Sequence, residues 1–125
     1  MADRTKISDA EWEVMDVVWD SAPVLVQDIV HKLSARKGWH SRTVRTLVDR
    51  LVKKGALRFE VDGKRYLYRP KLSRAVCVRQ ESQGFLKRVF GGEPAGMLIH
   101  LVKHTELSPE DIKKLKQILS EKEKE

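Results

Sequence analysis

A chain of 125 residues with a formal net charge of +7 and a pI near 9.7 can hold one compact domain with a helical extension, and its basicity points to an acidic partner. Its one cysteine, Cys77, excludes an internal disulfide and suits a reducing cytosol. No basic flank leads into an apolar run at the N-terminus and no stretch approaches the roughly 20 apolar residues of a membrane span, so a cytoplasmic protein without membrane insertion is expected.

The first predicted helix opens at Ile7-Ser8-Asp9-Ala10-Glu11-Trp12. Ser8 and Glu11 have the spacing of a reciprocal capping box, and Ile7 can staple onto Trp12. The helix runs to about Asp20, with Trp12, Met15 and Trp19 on one stripe and Val14 and Val18 widening it. Ser21-Ala22-Pro23 breaks it, and Val24-Leu25-Val26 reads as a short isolated strand. A second helix covers about Gln27–Arg36 and buries Ile29, Val30 and Leu33. Its start is chemically poor, because neither Leu25 nor Val26 has a side chain that can cap.

Lys37-Gly38 ends that helix, and a third spans about Ser41–Lys54 with Val44, Leu47, Val48, Leu51 and Val52 at the helical period. Gly55 stops it. Two β-rich runs, Ala56–Val61 and Arg65–Arg69, flank Asp62-Gly63-Lys64, a hairpin signal closed by Pro70. Three more helices follow: Leu72–Phe90, stopped by Gly91-Gly92; Pro94–His104, apolar nearly all round; and one opened by Ser108-Pro109, with Ile112, Leu115, Ile118 and Leu119 on one stripe. The charged tail Ser120–Glu125 is expected to fray.

The charge is not spread evenly. Residues 36–74 carry 13 Lys or Arg against 3 Asp or Glu, whereas residues 1–35 carry 3 against 7 and residues 75–125 carry 9 against 8. A basic block over the third helix and the hairpin is the footprint of a nucleic-acid-reading element. The order helix, strand, helix, helix, hairpin is that of a winged helix-turn-helix, whose third helix enters the major groove. Its first turns offer Ser41, Arg42, Thr43, Arg45 and Thr46, types that read guanine edges, thymine methyls or phosphates. Arg50, Lys53, Lys54 and Arg58 are placed for phosphates, and Lys64 and Arg65 for a wing contact. The fold class is therefore mainly α with a small β-hairpin: a winged-helix DNA-binding domain over 1–71 and a helical dimerisation region over 72–125.

Four stretches carry a resemblance to a known family. They are Ile7 through Met15; Trp39 with Arg42-Thr43-Val44-Arg45-Thr46-Leu47; Arg50 through Leu57; and Tyr66-Leu67-Tyr68 with Pro70. Together they closely resemble the penicillinase and methicillin-resistance repressors, the BlaI/MecI family. The resemblance implies repression by a homodimer on inverted-repeat operator DNA. It places the base-reading positions on Arg42, Thr43 and Thr46, with Arg45 beside them, and the wing on Asp62–Arg65. Relatives commonly carry Ser-Pro where this chain has His40-Ser41, which bears on the cap of the recognition helix. The resemblance also implies induction through a membrane sensor-protease, with a cut between Asn and Phe. The matching positions here are His100 and Leu101, so that pair is not kept. Copper-responsive relatives use paired cysteines that this chain lacks.

The last helices hold more apolar surface than a small winged helix needs, and Phe85, Val89, Met97, Leu98, Leu101, Ile112, Leu115, Ile118 and Leu119 are the expected dimerisation residues. His100 and His104 stand four apart and could share a metal, but no third ligand is near in sequence, so no metal or other cofactor is expected. Cys77, among Ala75, Val76 and Val78, reads as a small apolar filler before it reads as a redox sensor. No phosphate loop, nucleophile elbow or triad is present, so no catalysis is expected. The competing readings are a winged-helix module for RNA or a protein partner, and a ligand- or metal-gated regulator. Among the aromatics of the basic segment, Phe59, Tyr66 and Tyr68 alternate on the strands as core or wing residues, which favours duplex DNA over RNA.

Overall fold

The computed structural model describes residues 6–125. Six helices and three short strands follow in the order α1 (Asp9–Ser21), β1 (Val24–Leu25), α2 (Val26–Lys37), α3 (Ser41–Lys53), β2 (Leu57–Asp62), β3 (Arg65–Pro70), α4 (Arg74–Phe90), α5 (Pro94–His104) and α6 (Pro109–Glu123). The expected winged helix-turn-helix is present, followed by helices. One compact unit ends at Ser82 and the second covers Gln83–Glu125, a division that falls within α4. The start of α4 belongs with the first unit because Cys77 is buried in that unit's core.

The capping box forms as its spacing requires: Ser8 Oγ accepts from the Glu11 amide at 3.1 Å, and Glu11 Oε1 accepts from the Ser8 amide at 2.9 Å. The buried face of α1 then centres on Val14, Met15, Val17 and Val18, with Trp12 and Trp19 at its margin in an edge-to-face pair 5.4 Å apart. Trp19 donates its indole N–H to the Leu72 carbonyl at 3.0 Å, which satisfies the one polar atom of a ring otherwise given to packing.

β1 is not isolated. It pairs antiparallel with β3, Val24 opposite Tyr68 and Leu25 opposite Leu67, and so makes a third strand in the order β1-β3-β2. This pairing also accounts for the uncapped start of α2. Leu25 stands at the N-cap with no side-chain hydrogen bond, but its backbone is already fixed by the sheet, and Asp28 in the first turn complements the helix dipole. At the other end Gly38 takes φ +68 and returns its N–H to the Ser34 carbonyl, the left-handed cap that glycine adopts without a Cβ clash.

The core of this unit is drawn from every element: Val14, Met15 and Val18 of α1, Ile29 and Leu33 of α2, Val44, Val48 and Leu51 of α3, Leu57 and Tyr68 of the sheet. In the second unit no residue is buried. Phe90 lies between Phe85 and His100, 6.0 and 6.2 Å away. Ser108 caps α6 through its Oγ, which accepts from the Asp111 amide at 3.1 Å, and Pro109 takes the first turn as expected. The tail expected to fray continues α6 to Glu123.

Candidate nucleic-acid interface

The α3 helix divides by side. Val44, Leu47, Val48 and Leu51 are buried, and at roughly 100° per residue the opposite arc collects Arg42, Arg45, Thr46, Asp49 and Lys53, with Thr43 and Arg50 at one border; all seven are exposed. Among the described residues none of these Arg and Lys side chains is in an ion pair. Cations held on a rigid helix without protein partners are free to meet phosphates or base edges. Ser41 is partly buried at the first helical position.

His40 supplies the cap of α3. Its Nδ1 accepts from the Arg42 amide at 3.1 Å. The turn before α3 is tied by Ser34, whose hydroxyl donates to the Trp39 carbonyl at 2.8 Å. The cap and this tie together fix the angle at which α3 leaves α2.

Lys54 occupies a different place from its expected phosphate contact. Its Nζ lies 2.5 Å from Glu11 Oε1 and donates to the Lys6 carbonyl at 2.9 Å, joining the end of α3 to the start of α1. Glu11 is 1% exposed. Burial by itself would raise its carboxyl, but the Lys54 ammonium and the Ser8 N–H hold it below the ordinary value of 4.5. The capping-box spacing foretold the Ser8 contact, while nothing local in the sequence pairs residues 11 and 54.

The hairpin closes through Gly63-Lys64, with Asp62 opposite Arg65. Gly63 has φ +66 and Lys64 a negative φ, the sign pattern of a type II′ turn, which wants glycine first. Arg65 pairs with Asp62 at 3.0 Å, and Arg69 with Glu60; the Arg69 guanidinium holds the Glu60 carboxyl below its ordinary value. Lys64 and Arg58 have no such partner among the described residues. Half of the wing's cations are thus neutralised within the wing. Of the two placements expected for Phe59 and Tyr66, core or wing, they take the wing: both are exposed.

A carboxylate, Asp49, also belongs to this surface. It sits on the exposed arc of α3, one helical turn beyond Arg45, and its carboxylate is close enough to Tyr68 to push that hydroxyl's ionisation upward alongside burial. The spacing 42, 45, 49 places it there, but an acidic residue within a basic block carries no local signal of a role on an anion-binding face.

The expected dimerisation residues Phe85, Val89, Leu98, Leu101, Ile112, Ile118 and Leu119 are exposed, and Met97 and Leu115 are half-buried. His100 and Leu101 lie in the middle of α5. His100 and His104 stack at 4.5 Å, and among the described residues no group of three or more His, Cys, Asp or Glu side chains could hold a metal. Cys77 is buried and burial pushes its thiol up, away from the reactive thiolate. No helix of the described residues is long and apolar enough to cross a membrane.

Comparison with known proteins agrees with this geometry. Residues 7–121 match the family described as penicillinase repressor. The Penicillinase repressor of Bacillus licheniformis is 34% identical over 116 residues, covering 93% of this chain and 91% of that protein. The Methicillin resistance regulatory protein MecI of Staphylococcus aureus (strain N315) is 31% identical over 117 residues, covering 94% and 95%. The solution structure of the Bacillus licheniformis BlaI monomeric form in complex with the blaP half-operator is 36% identical, with a TM-score of 0.51, over 55% of this chain and 84% of that one. A family match over nearly the whole chain, with the winged-helix half alike in structure, leaves one reading: this chain belongs to the penicillinase repressor family.

Proposed function

We propose that the chain represses transcription by binding inverted-repeat operator DNA as a homodimer, with α3 in the major groove of each half-site. One observation carries this: an exposed arc of Arg42, Arg45, Arg50 and Lys53, in no ion pair among the described residues, with Thr43 and Thr46, backed by a buried apolar face. Arg42 reads a guanine through two hydrogen bonds, and the threonines meet thymine methyls or phosphates. Asp49 accepts from a base amino group, cytosine N4 being the usual partner of a carboxylate in the major groove. Arg50 and Lys53 hold phosphates, which give affinity without sequence information. Lys54 is left to the fold. The exposed apolar residues of α5 and α6 support a second copy as their cover, and a two-fold dimer matches a two-fold operator.

Induction by a membrane sensor-protease is the finer part of the family pattern. The His100–Leu101 bond is inside regular helix, and a protease takes its substrate extended, so a cut there needs α5 to open locally first. The test of the main reading is selection of duplex fragments by the purified full chain, followed by sequencing. The expected result is an inverted repeat with half-sites about one helical turn apart, or a multiple of it. No enriched motif, with binding lost at moderate salt, would overturn it.

A further inference from the structure

The wing has two unlike faces. Side chains alternate along a strand, so Arg58, Glu60 and Asp62 of β2 share one face with Arg65, Leu67 and Arg69 of β3. The other face carries Leu57, Phe59 and Val61 opposite Tyr68 and Tyr66. At the base of the hairpin this second face is core, with Leu57 and Tyr68 buried. Beyond the core it continues into solvent: Phe59 is 46% exposed, Tyr66 51% and Val61 65%. It is also the face turned towards α3, since Leu57 and Tyr68 share one core with Val44, Val48 and Leu51 of that helix. The result is a corner with a basic helix on one side and an apolar, aromatic sheet face on the other.

We infer that this overhang of Phe59, Val61 and Tyr66 is part of the duplex-binding surface, and that it packs on the deoxyribose faces of the backbone beside the groove that α3 enters. The inference rests on α3 being the groove-reading helix. Three observations favour this occupant. The overhang extends the sheet face that packs on α3, so a duplex seated on α3 has its backbone near the hairpin. Arg45 of α3 and Lys64 at the hairpin tip, neither in an ion pair among the described residues, flank the patch; an anionic polymer with apolar sugars satisfies both, whereas a second copy would set like charges together. The rings of Phe59 and Tyr66 are 5.0 Å apart and tilted by 55°, so they cover each other and present edges, which suits sugars better than stacked bases.

The contact is apolar and therefore adds affinity that does not depend on counterion release. That separates it from the lysine at the tip. Binding is measured by fluorescence anisotropy for the full chain across a series of KCl concentrations. The probes are a 40-base-pair duplex carrying the selected repeat, a scrambled duplex of equal length, and a single strand of the same sequence. Phe59→Ala is expected to weaken binding to both duplexes about tenfold, roughly 1.4 kcal/mol, with the salt slope unchanged. Lys64→Ala is expected to flatten that slope by about one. Val61→Ser, outside the ring pair, repeats the loss more weakly should Phe59→Ala disturb the hairpin. Duplex affinity unchanged in both variants overturns the inference, as does a loss only for the single strand. A fall in self-association without DNA, read by sedimentation, assigns the patch to a second copy and overturns it too. Arg42→Ala runs alongside to separate the two failures: lost operator discrimination with unchanged affinity in Phe59→Ala and Val61→Ser overturns the wing contact alone, whereas kept discrimination in Arg42→Ala overturns the reading of α3 on which the contact rests.

Discussion

The two compact units treat the same kind of sequence pattern in opposite ways. In the unit ending at Ser82, the apolar stripes of α1, α2 and α3 close on one another, and Val14, Met15, Ile29, Leu33, Val44 and Leu51 have no exposed surface. In Gln83–Glu125 the stripes are as regular, yet Leu98, Ile99, Leu101, Val102, Ile118 and Leu119 stay exposed and nothing is buried. A 3.6-residue apolar period states that a face must be covered; it does not state by what. The winged-helix unit supplies its own cover. The helical unit fits the proposal that a second copy does so.

The difference can be broken from either side. Leu51→Ala, at the centre of the first core, is expected to cost about 2–5 kcal/mol of stability in urea unfolding. Leu98→Asp is expected to do something else: self-association weakens at least about 100-fold, roughly 3 kcal/mol, in sedimentation, while the near-ultraviolet signature of Trp12 and Trp19 persists. Loss of that signature together with the dimer would mean that the first unit does not stand by itself.

Smaller changes sharpen the division within α3 between residues held by the fold and residues turned outwards. Lys54→Ala leaves the buried Glu11 carboxylate without its cation and is expected to cost about 1–3 kcal/mol near neutral pH. Because folding lowers the Glu11 pKa, its contribution is present above the ordinary 4.5 and disappears as pH falls through the lowered value. The Lys54→Ala deficit should therefore shrink in acid, and a deficit constant with pH would contradict the pairing. Arg42→Ala is expected to leave stability alone and to lower operator affinity by about 1–3 kcal/mol per half-site, relaxing sequence preference. Lys53→Ala has the smallest effect, a salt slope flatter by about one with every sequence weakened alike.

Much of the architecture was legible because its signals are local. Ser8 and Glu11 announce a capping box, Gly38 a left-handed helix end, Ser108-Pro109 a helix start, and Asp62-Gly63 a hairpin, each through the chemistry of a few neighbouring residues. The basic arc of α3 was legible for the same reason, since helical spacing alone separates Arg42 and Thr46 from Val44 and Leu47. The motif order also carried the family, which the comparisons bear out.

What tertiary structure decided is everything set by a partner distant in sequence. β1 is a strand because β3 pairs with it, and α2 begins without a cap because that pairing holds Leu25 in place. Lys54, alike in sequence to Lys53, goes to Glu11 because the end of α3 meets the start of α1. Phe59 and Tyr66 alternate as core residues do, but the hairpin outruns the core and leaves them in solvent. Periodicity fixes which side chains share a face, whereas only the packing of one element on another determines how far along that face water is excluded.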